Sequence, residues 1–432
     1  MNKLYAIENY TAHGGPVKGL TLSPNGEYMV SSSFDYSSVI WDTKNLKEKF
    51  ILNKHDAAVN VAKFSRDGRK LATGSDDNKI LLWDIEELIN NNKTNPIILS
   101  GHKGKVVDID FNKDGKKIIS ASWDGSIGIW DLERSKIKSR FIYGHDGPVN
   151  NVQFSMNENE IYSAGYDGEV RVWDLKEDLY LRTLIKNGWG INVMKIDEAQ
   201  DIIAYGTTDG VMVLERLSNG KKLIKMGTER TPVLSIHQSL NGNQIAFGNA
   251  KGQVKIIDVN TNTLLRDFKA ANGPIWSLLI MPKIGDLIVA SLNDYVSLWR
   301  MHEFPPHILN SEKNSHRFQP SESAPNGEKQ FARKCSVCHT LTATSKKRAG
   351  PSLFNLFGRE AGTYEGYNYS KALLDSKIIW DEESIHRLFT EGPDVVTPGT
   401  KMPIQKMKNE KDRQDLIAYL KNVTNPNNNI KE

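Results

Sequence analysis

The chain of 432 residues contains two cysteines, which lie three positions apart with a histidine directly after the second: Cys335, Cys338 and His339. A thioredoxin-like redox pair would require a βαβ context, and a structural zinc site would require four ligands where three are present. C-x-x-C-H is also the pattern that attaches a haem covalently. Two thiols on one helical turn reach its two vinyl groups, and the adjacent histidine ligates the iron. The pattern therefore favours one covalently bound haem c over the redox pair and the zinc site.

A methionine thioether could complete the iron coordination. Met402 lies in the segment 398–403, whose glycine and two prolines indicate a tight loop. A soft, neutral thioether paired with histidine favours reduced iron and raises the potential, which suits electron transfer. Residue types alone leave this role open, because most methionines fill apolar cores and Met407 is the nearest rival.

Helices must position these groups. Phe331 and Cys335 are spaced to share one face of a helix that starts near Asn326. A second amphipathic helix, with Asn409 as its cap, carries five apolar residues on one face: Leu416, Ile417, Tyr419, Leu420 and Val423. A domain of about 100 residues with few helices buries only a modest core, which a large bound cofactor would help to stabilise.

The segment 326–425 resembles a class I cytochrome c of the mitochondrial-like type. The matches follow the family order: Gly327, Phe331, Cys335, Cys338, His339, Gly350, Pro351, Ser352, Leu353, Phe357, Gly358, Arg359, Gly366, Tyr367, Asn368, Tyr369, Trp380, the Met402 loop and Tyr419. The resemblance implies that Met402 ligates the iron with His339, and that the Pro351 carbonyl accepts the Nδ1 proton of His339. It also implies that three side chains hold the haem propionates: Arg359, Tyr369 and Trp380.

The sequence departs from the family at two places near the expected sixth ligand. The region of Leu388 is apolar where many members place a tyrosine beside the methionine sulfur, and one extra residue precedes the Met402 loop. Basic residues crowd the same domain: Lys334, Lys346, Lys347, Arg348, Lys401, Lys406 and Lys408. In such domains a lysine ring around the haem edge steers a redox partner that is acidic at its docking site. The alternative is an ordinary solvated surface.

The first three hundred residues contain a repeat. An apolar strand ending in Trp-Asp, with weaker echoes, recurs at steps of 41 to 47 residues, marked by Trp41, Trp83, Trp130, Trp173, Leu214, Ile257 and Trp299. Each unit reads as short strands joined by Asp-Gly or Asn-Gly turns. One four-stranded sheet cannot bury both of its faces, so seven units predict a radial array of seven sheets.

This segment resembles a WD-repeat β-propeller, whose blades carry a structural hydrogen-bond tetrad. The matching sets are His13, Ser33, Asp35 and Trp41; His55, Ser75, Asp77 and Trp83; and His102, Ser122, Asp124 and Trp130. In blade four, Gly165 stands at the position expected for serine. Two prolines follow Trp299 where an outer strand is expected, so residues 4–10 are predicted to complete blade seven and to remove an open edge.

The predicted fold class is therefore multidomain, with an all-β seven-bladed WD-repeat propeller followed by a small all-α cytochrome c domain. The predicted boundaries are 1–302 for the propeller, 303–325 for a linker, 326–425 for the cytochrome domain and 426–432 for a tail. Proline, serine and asparagine mark the linker. Three histidines in this region are expected to be solvated rather than zinc ligands: His302, His307 and His316.

Composition excludes two classes of partner. No run of about 18 apolar residues is present, so a membrane-spanning helix is not expected. The formal net charge of +4 is too small and too spread out to indicate a nucleic-acid partner.

We expect a c-type cytochrome that carries one electron at a His339/Met402 haem iron, with the propeller as a docking scaffold for a protein partner. The alternative is an oxidoreductase whose propeller holds a substrate or a second cofactor and whose cytochrome domain relays electrons, as in known propeller–cytochrome fusions. No catalytic residue is predicted. No convergent acidic cluster is visible, and His237 is the propeller histidine outside the tetrads, so the sequence favours an electron-transfer protein over an enzyme.

Haem is attached through thioethers outside the reducing cytosol, which in bacteria means the periplasm. The first 15 residues contain no apolar segment of a secretory signal. We expect a periplasmic protein whose export signal is not visible in this sequence. The mitochondrial intermembrane space is the alternative, because the cytochrome there needs no such signal.

Overall fold

In the computed structural model the chain forms two compact units. The described residues are 6–91, 95–132, 137–227, 230–282, 285–301, 318, 320, 321, 323–343, 350–367, 369–400, 402 and 404–425. Three predictions fall wholly or mostly outside these ranges: the first two residues of the closing strand, the linker 303–325 with its histidines, and the tail 426–432. Among the described residues, no helix is long and apolar enough to cross a membrane.

The first unit is a seven-bladed β-propeller of antiparallel four-stranded sheets. Blade one comprises β2 Val17–Leu22, β3 Tyr28–Ser33, β4 Ser38–Asp42 and β5 Lys47–Leu52. Blade two comprises β6 Val59–Phe64, β7 Lys70–Ser75, β8 Lys79–Asp84 and β9 Ile97–Ser100. Blade three comprises β10 Val106–Phe111, β11 Lys117–Ser122, β12 Ser126–Asp131 and β13 Lys138–Tyr143. Blades four and five comprise β14 Val149–Phe154, β15 Glu160–Gly165, β16 Glu169–Asp174, β17 Tyr180–Lys186; and β18 Ile191–Asp197, β19 Ile202–Thr207, β20 Met212–Arg216, β21 Lys222–Met226. Blades six and seven comprise β22 Val233–Gln238, β23 Gln244–Asn249, β24 Gln253–Asp258, β25 Thr263–Lys269; and β26 Ser277–Ile280, β27 Leu287–Ala290, β28 Tyr295–Arg300 with β1 Ala6–Thr11.

The first strand of each blade lies innermost and contacts the first strands of both neighbours, so that β2 also contacts β26 and the circle closes. The core lies between adjacent blades. One apolar cluster, for example, combines Ile119 and Ile129 of blade three with Phe154 and Trp173 of blade four. Burial of both faces therefore depends on the presence of each neighbouring blade.

The start of the chain supplies the outer strand of blade seven. Strand β1 pairs antiparallel with β28, in a register that runs from Ala6 opposite Arg300 to Thr11 opposite Tyr295. Arg300 Nη2 lies 2.9 Å from Glu8 Oε1 across this pair. Strand β1 thus covers the edge that β28 would otherwise expose and forms the outer strand of blade seven, as the fourth strand does in each other blade.

The tetrads use a hydroxyl two residues earlier than predicted. In blade three His102 Nε2 lies 2.8 Å from Ser120 Oγ, and the Trp130 indole N–H donates to the same oxygen at 2.9 Å. His102 Nδ1 lies 3.0 Å from Asp124 Oδ2. Blades two and four have the same arrangement, with these hydroxyls at its centre: Thr73 and Ser163.

The predicted tetrad roles of Ser75 and Ser122 are therefore wrong, and so is that of Ser33, because the Trp41 indole N–H donates to Ser31 Oγ at 2.8 Å. Their hydroxyls donate instead to three backbone carbonyls, those of Pro16, Ala57 and Gly104. Gly165 likewise does not mark a lost hydroxyl, because Ser163 supplies the hydroxyl of this tetrad to both His145 and Trp173. Residues two apart share one face of a strand, so residue type alone could not separate the two serine positions.

One feature of blade two explains the longest repeat step. A short helix, α1 Ile85–Asn91, follows β8 and precedes β9. Seven residues are too few to establish an amphipathic period, so periodicity alone does not reveal this helix. The 47-residue step from Trp83 to Trp130 contains this insertion.

Helices within the described part of the second unit are α2 Asn326–Lys334, α3 Lys371–Leu374, α4 Glu382–Thr390, α5 Pro393–Val396 and α6 Glu410–Val423. Helix α6 is capped by Asn409, whose side-chain oxygen accepts the Asp412 N–H at 3.1 Å, as predicted. Its buried face, with Leu416 and Leu420, packs with Phe331 of α2 in one apolar cluster. An isolated antiparallel bridge joins Glu360 and Ile379.

The acid sensitivity of the propeller should follow from the tetrad carboxylates. Burial alone would raise the pKa of Asp167, but its hydrogen bond with His145, the charge of that ring and two backbone N–H groups together lower the pKa from 3.8 to about 2. A carboxyl whose pKa is lower in the folded state stabilises the fold above about pH 4, and this contribution disappears as the pH falls towards 2.

We therefore expect Asp167→Asn to lower the free energy of unfolding at neutral pH by about 2 kcal/mol and to flatten its decline in acid. Denaturant unfolding, followed by the far-ultraviolet circular dichroism of the sheets at several pH values, measures both effects. The exposed neighbour Asp146, as Asp146→Asn, is the matched control and should retain the full decline. Identical acid profiles for Asp167→Asn and the wild type would contradict the prediction.

Candidate haem-binding site

The C-x-x-C-H residues form a turn that continues directly from α2. The His339 N–H donates to the Cys335 carbonyl at 2.9 Å, and the Cys338 N–H donates to the same oxygen at 3.0 Å. Cys335 is buried at 4% exposure, while Cys338 and His339 are half-buried. The backbone therefore holds both thiols and the imidazole on one helical turn, as covalent haem attachment requires.

A backbone carbonyl fixes the imidazole of His339. Its Nδ1–H donates to the Pro351 carbonyl oxygen at 2.7 Å. Because a carbonyl only accepts, the proton lies on Nδ1 and the lone pair lies on Nε2, which is the tautomer that a metal ligand needs. Gly350 permits this approach, since a Cβ there would lie 2.3 Å from Cε1 of His339.

The two competing readings of the cysteines find no support in this geometry. Burial, followed by the neighbouring Cys338, raises the pKa of Cys335 to about 12, whereas a reactive redox cysteine requires a lowered value. Within the part of the chain that the structure describes, no group of three or more His, Cys, Asp or Glu side chains could hold a metal ion.

Met402 lies on the loop that leads towards α6, between two residues that fall outside the described ranges. Its N–H donates to Thr400 Oγ1 at 3.1 Å. Gly399 has a φ of 76°, and a Cβ there would lie 2.9 Å from the side chain of Ala372. The half-buried Met402 packs against the apolar cluster that includes Cys335.

Met407 has a different environment. It is buried at 5% exposure inside the same cluster, and its N–H donates to the Phe389 carbonyl at 2.8 Å. The side chain of Arg413, itself 7% exposed, donates to the carbonyl of Met407. These contacts make Met407 part of the packed core below the loop. Leu388, in the region where many family members place a tyrosine, is also buried.

Arg359 and Trp380 lie on neighbouring segments joined by backbone hydrogen bonds. The Trp380 N–H donates to the Arg359 carbonyl at 2.9 Å, and Trp380 packs against the apolar cluster. The Arg359 guanidinium donates from Nη1 to the Phe354 carbonyl at 2.7 Å and from Nη2 to the Ser352 carbonyl at 2.9 Å. Backbone carbonyls therefore engage much of this guanidinium.

Ser370 is a polar group of the domain that sequence reasoning missed. Its Oγ is buried and has no hydrogen-bond partner among the described residues. It follows Tyr369, whose ring packs edge-on against Tyr367 with the ring centroids 4.7 Å apart. A buried, unpaired hydroxyl is costly, and an acidic cofactor group such as a haem propionate would give it an acceptor. The residues present thus fit a haem, although a single serine carries no recognisable sequence motif.

The predicted basic residues are only partly described. Lys406 and Lys408 are exposed on the loop after Met402, and Lys334 is half-buried at the end of α2. Four others lie outside the described ranges: Lys346, Lys347, Arg348 and Lys401. Ile404, beside the two loop lysines, is 67% exposed. The surface next to Met402 is therefore both basic and apolar.

A seven-bladed propeller followed by a small helical domain with a C-x-x-C-H turn defines a propeller–cytochrome protein. Residues 324–424 match the family model described as cytochrome c. Residues 5–42, 46–84, 94–131 and 136–174 match the WD domain, G-beta repeat. Residues 194–281 match the anaphase-promoting complex subunit 4 WD40 domain.

Curated relatives cover the second domain. A cytochrome c from Sesamum indicum is 41% identical over 105 residues, which span 24% of this chain and 94% of that protein. A cytochrome c from Gibberella zeae is 40% identical over 98 residues, covering 23% and 92%. A cytochrome c2 from Rhodomicrobium vannielii is 42% identical over 94 residues, covering 22% and 74%. Through this domain the chain belongs to the cytochrome c family, and its N-terminal part carries WD repeats.

The approach of Gly350 to His339 can be tested directly. Gly350→Ala would place a methyl group against the imidazole, so we expect a displaced ring and an altered haem absorption spectrum in the purified holoprotein. Gly366→Ala is the control. Its φ of 78° disfavours alanine by about 1–2 kcal/mol, yet no atom lies within 4 Å of the added Cβ. An unchanged spectrum in Gly350→Ala, or equal changes in both variants, would contradict the prediction.

Proposed function

We propose that this protein is a one-electron carrier in which Cys335 and Cys338 hold a single haem c, with His339 and Met402 as the axial ligands of its iron. The observation that carries the proposal is the 2.7 Å hydrogen bond from His339 Nδ1 to the Pro351 carbonyl, since it presents Nε2 as the ligand nitrogen. When bound, the haem supplies a ferric–ferrous couple. The buried cluster around Cys335 excludes water and limits rearrangement between the two oxidation states.

The loop geometry supports Met402 over Met407 as the sixth ligand. Met402 is half-buried at the margin of the apolar cluster, while Met407 is buried within it and bonded through its backbone to Phe389. Filling both axial positions with protein ligands leaves no site on the iron for a substrate, which suits electron transfer rather than catalysis. Around the porphyrin edge, Ser370 joins the three side chains proposed for the propionates: Arg359, Tyr369 and Trp380.

We expect Met402→Ala to open one axial position. The reduced protein should then bind carbon monoxide, and the midpoint potential should fall, because a thioether favours reduced iron. Met407→Ala is the matched control. Loss of this core side chain should lower the free energy of unfolding by about 2–5 kcal/mol while the reduced wild-type spectrum persists without carbon monoxide binding. Absorption spectroscopy and potentiometry measure these effects. If Met407→Ala binds carbon monoxide and Met402→Ala does not, the sixth ligand is Met407 and the proposal is wrong.

The surface beside Met402 supports an acidic redox partner. Exposed Lys406 and Lys408 follow the exposed Ile404 within four residues, so an approaching protein meets positive charge close to an apolar side chain. Long-range attraction between such a surface and a negatively charged partner raises the association rate and weakens with salt.

Charged redox reagents can test this steering without a known partner. At low salt, Lys406→Glu should slow oxidation of the reduced protein by ferricyanide several-fold. Oxidation of the same variant by a cationic cobalt complex should be no slower than that of the wild type. High salt should remove the difference. Lys411→Glu makes the same charge change on α6 and serves as the control. Stopped-flow absorbance gives the rates, and equal slowing by both variants would show that only net charge matters.

For the propeller we propose a protein-docking scaffold that holds the carrier near its partner. Among the described propeller residues, Trp123, Tyr166 and Trp189 are 52%, 61% and 60% exposed, and exposed large aromatic rings are common at protein interfaces. The second candidate is an oxidoreductase with a substrate or cofactor in the propeller, and the observation in its favour is His237, a half-buried histidine of the innermost strand β22 that belongs to none of the tetrads described above. A second chromophore or metal in the purified holoprotein would favour the enzyme.

We propose a periplasmic location, with the mitochondrial intermembrane space as the alternative. Both compartments allow thioether attachment to Cys335 and Cys338. The curated relatives named above come from a plant, a fungus and a bacterium, and are compatible with either compartment.

A further inference from the structure

The innermost strands of blades one to six each contain a β-bulge near their first residue, where one residue is left out of the pairing with the second strand. In three blades this residue is an asparagine whose side-chain amide donates to a carbonyl on the innermost strand of the next blade, at 2.9 to 3.0 Å: Asn60, Asn150 and Asn192. Blade one carries Lys18 at the same position. The bulge therefore directs a side chain towards a neighbouring blade.

Trp276 is the corresponding residue of blade seven. The N–H of Ile275, directly before Trp276, and the N–H of Val17, directly before Lys18, each donate to a carbonyl of the preceding blade, at 3.0 and 3.2 Å. Trp276 directly precedes β26, and Lys18 lies in β2, the strand that contacts β26 where the circle of blades closes. The two bulge side chains thus arise from adjacent blades.

These two side chains contact each other, and a third ring lies beside them. Lys18 Nζ lies 3.7 Å from the centroid of the Trp276 ring, which is the geometry of a cation–π contact. The centroid of the Phe34 ring lies 6.5 Å from that of Trp276, at an interplanar angle of 51°. All three residues are half-buried, and together they form what we call the Lys18–Trp276 cluster.

The cluster contains two donors without acceptors. Trp276 Nε1 is buried, yet it has no hydrogen-bond partner among the described residues, unlike the asparagine amides at the equivalent positions. Lys18 Nζ likewise makes no hydrogen bond or ion pair with any residue that the structure describes. A buried N–H group without an acceptor is costly, so the cluster favours a ligand that supplies one.

The nearest carboxylate does not fill this role. Asp76 Oδ2 accepts from Lys105 Nζ at 2.7 Å, and Asp76 Oδ1 accepts from the Asn60 amide at 2.8 Å. Burial lowers the pKa of Lys18 to about 8, while the charges of Asp76 and Lys105 act on it in opposite directions. Lys18 therefore remains mostly protonated at neutral pH, and the closest negative charge is already paired with another lysine.

We propose that the Lys18–Trp276 cluster binds a carboxylate that is attached to an apolar group. The carboxylate would accept from Lys18 Nζ and from the indole N–H of Trp276, while the apolar group packs against Phe34. One carboxylate can reach both donors, because the indole nitrogen belongs to the ring over which Nζ lies, and its bond with the ammonium is charge-assisted. Because Nε1 is buried, entry of the ligand requires the flexible Lys18 side chain to shift.

Two sources share this chemistry: a free aromatic acid, and an acidic side chain next to an aromatic residue of a partner protein. The site goes beyond the electron-carrier function, because Lys18, Phe34 and Trp276 all belong to the propeller. Its failure would leave the haem chemistry untouched, so the two proposals can be judged separately.

Calorimetric titration of the full-length holoprotein tests the proposal. Phenylacetate represents the free acid, with neutral phenylacetamide and cationic phenethylamine as its counterparts. The acetylated tripeptide amide Phe-Glu-Phe represents the protein segment, with Phe-Gln-Phe as its neutral counterpart. We expect saturable binding of one carboxylate per chain, at least about tenfold tighter than binding of the uncharged or cationic counterpart. The tighter of the two carboxylate probes identifies the source.

Two variants separate the donors. Trp276→Phe retains a ring and removes the N–H, and we expect it to weaken carboxylate binding by about tenfold. Lys18→Met removes the charge and should weaken binding by about tenfold or more. Lys18→Arg, which retains the charge, should restore most of the affinity.

The matched control is Lys44→Met, which removes one charge from an exposed position of the same blade and should bind like the wild type. Far-ultraviolet circular dichroism and the haem spectrum establish that each variant is folded, and Lys18→Gln replaces Lys18→Met if the latter does not fold. The proposal is overturned if neither carboxylate probe binds below about 10 mM, or if both bind no tighter than their neutral counterparts. Equal affinities of the Lys18 variants and Lys44→Met would also overturn it.

Discussion

A single blade cannot bury both faces of its sheet, and most of the architecture of the propeller answers this constraint. Each apolar cluster draws on two neighbouring blades, as where Ile119 of blade three meets Trp173 of blade four. A linear array would still leave two uncovered faces at its ends. Pairing of the N-terminal strand with β28 removes those ends, so the stability of every blade is linked to closure at blade seven.

The repeat can be predicted from the sequence because the motifs that define it are local. Trp-Asp strand ends and Asp-Gly turns recur at near-constant steps, and a seven-fold array follows from them by packing arguments alone. Which hydroxyl joins each tetrad cannot be predicted in the same way. Ser120 and Ser122 have the same type and point to the same face of β11, so only the observed contacts distinguish the one that meets His102 from the one that meets a backbone carbonyl.

Some residues of the candidate haem site can likewise be predicted from the sequence, while others require the structure. Cys335, Cys338 and His339 are contiguous, so their spacing alone indicates the chemistry. The contact of Pro351 with His339 followed from resemblance to a family, and it joins residues twelve positions apart. Ser370 could not be predicted from the sequence, because only the structure shows that its hydroxyl is buried and has no hydrogen-bond partner among the described residues. The contrast between Met402 and Met407 likewise depends on burial, which two methionines five residues apart do not reveal.

Closure of the ring by its first strand imposes an order in time. Ala6–Thr11 is synthesised before every other strand of the propeller. Its partner strand Tyr295–Arg300 is synthesised only after the other six blades. Until then the nascent propeller has an unsealed gap, and the C-x-x-C-H turn has not yet been translated. A chain truncated before Tyr295 would therefore leave β1 without its partner strand, however completely the other six blades had formed.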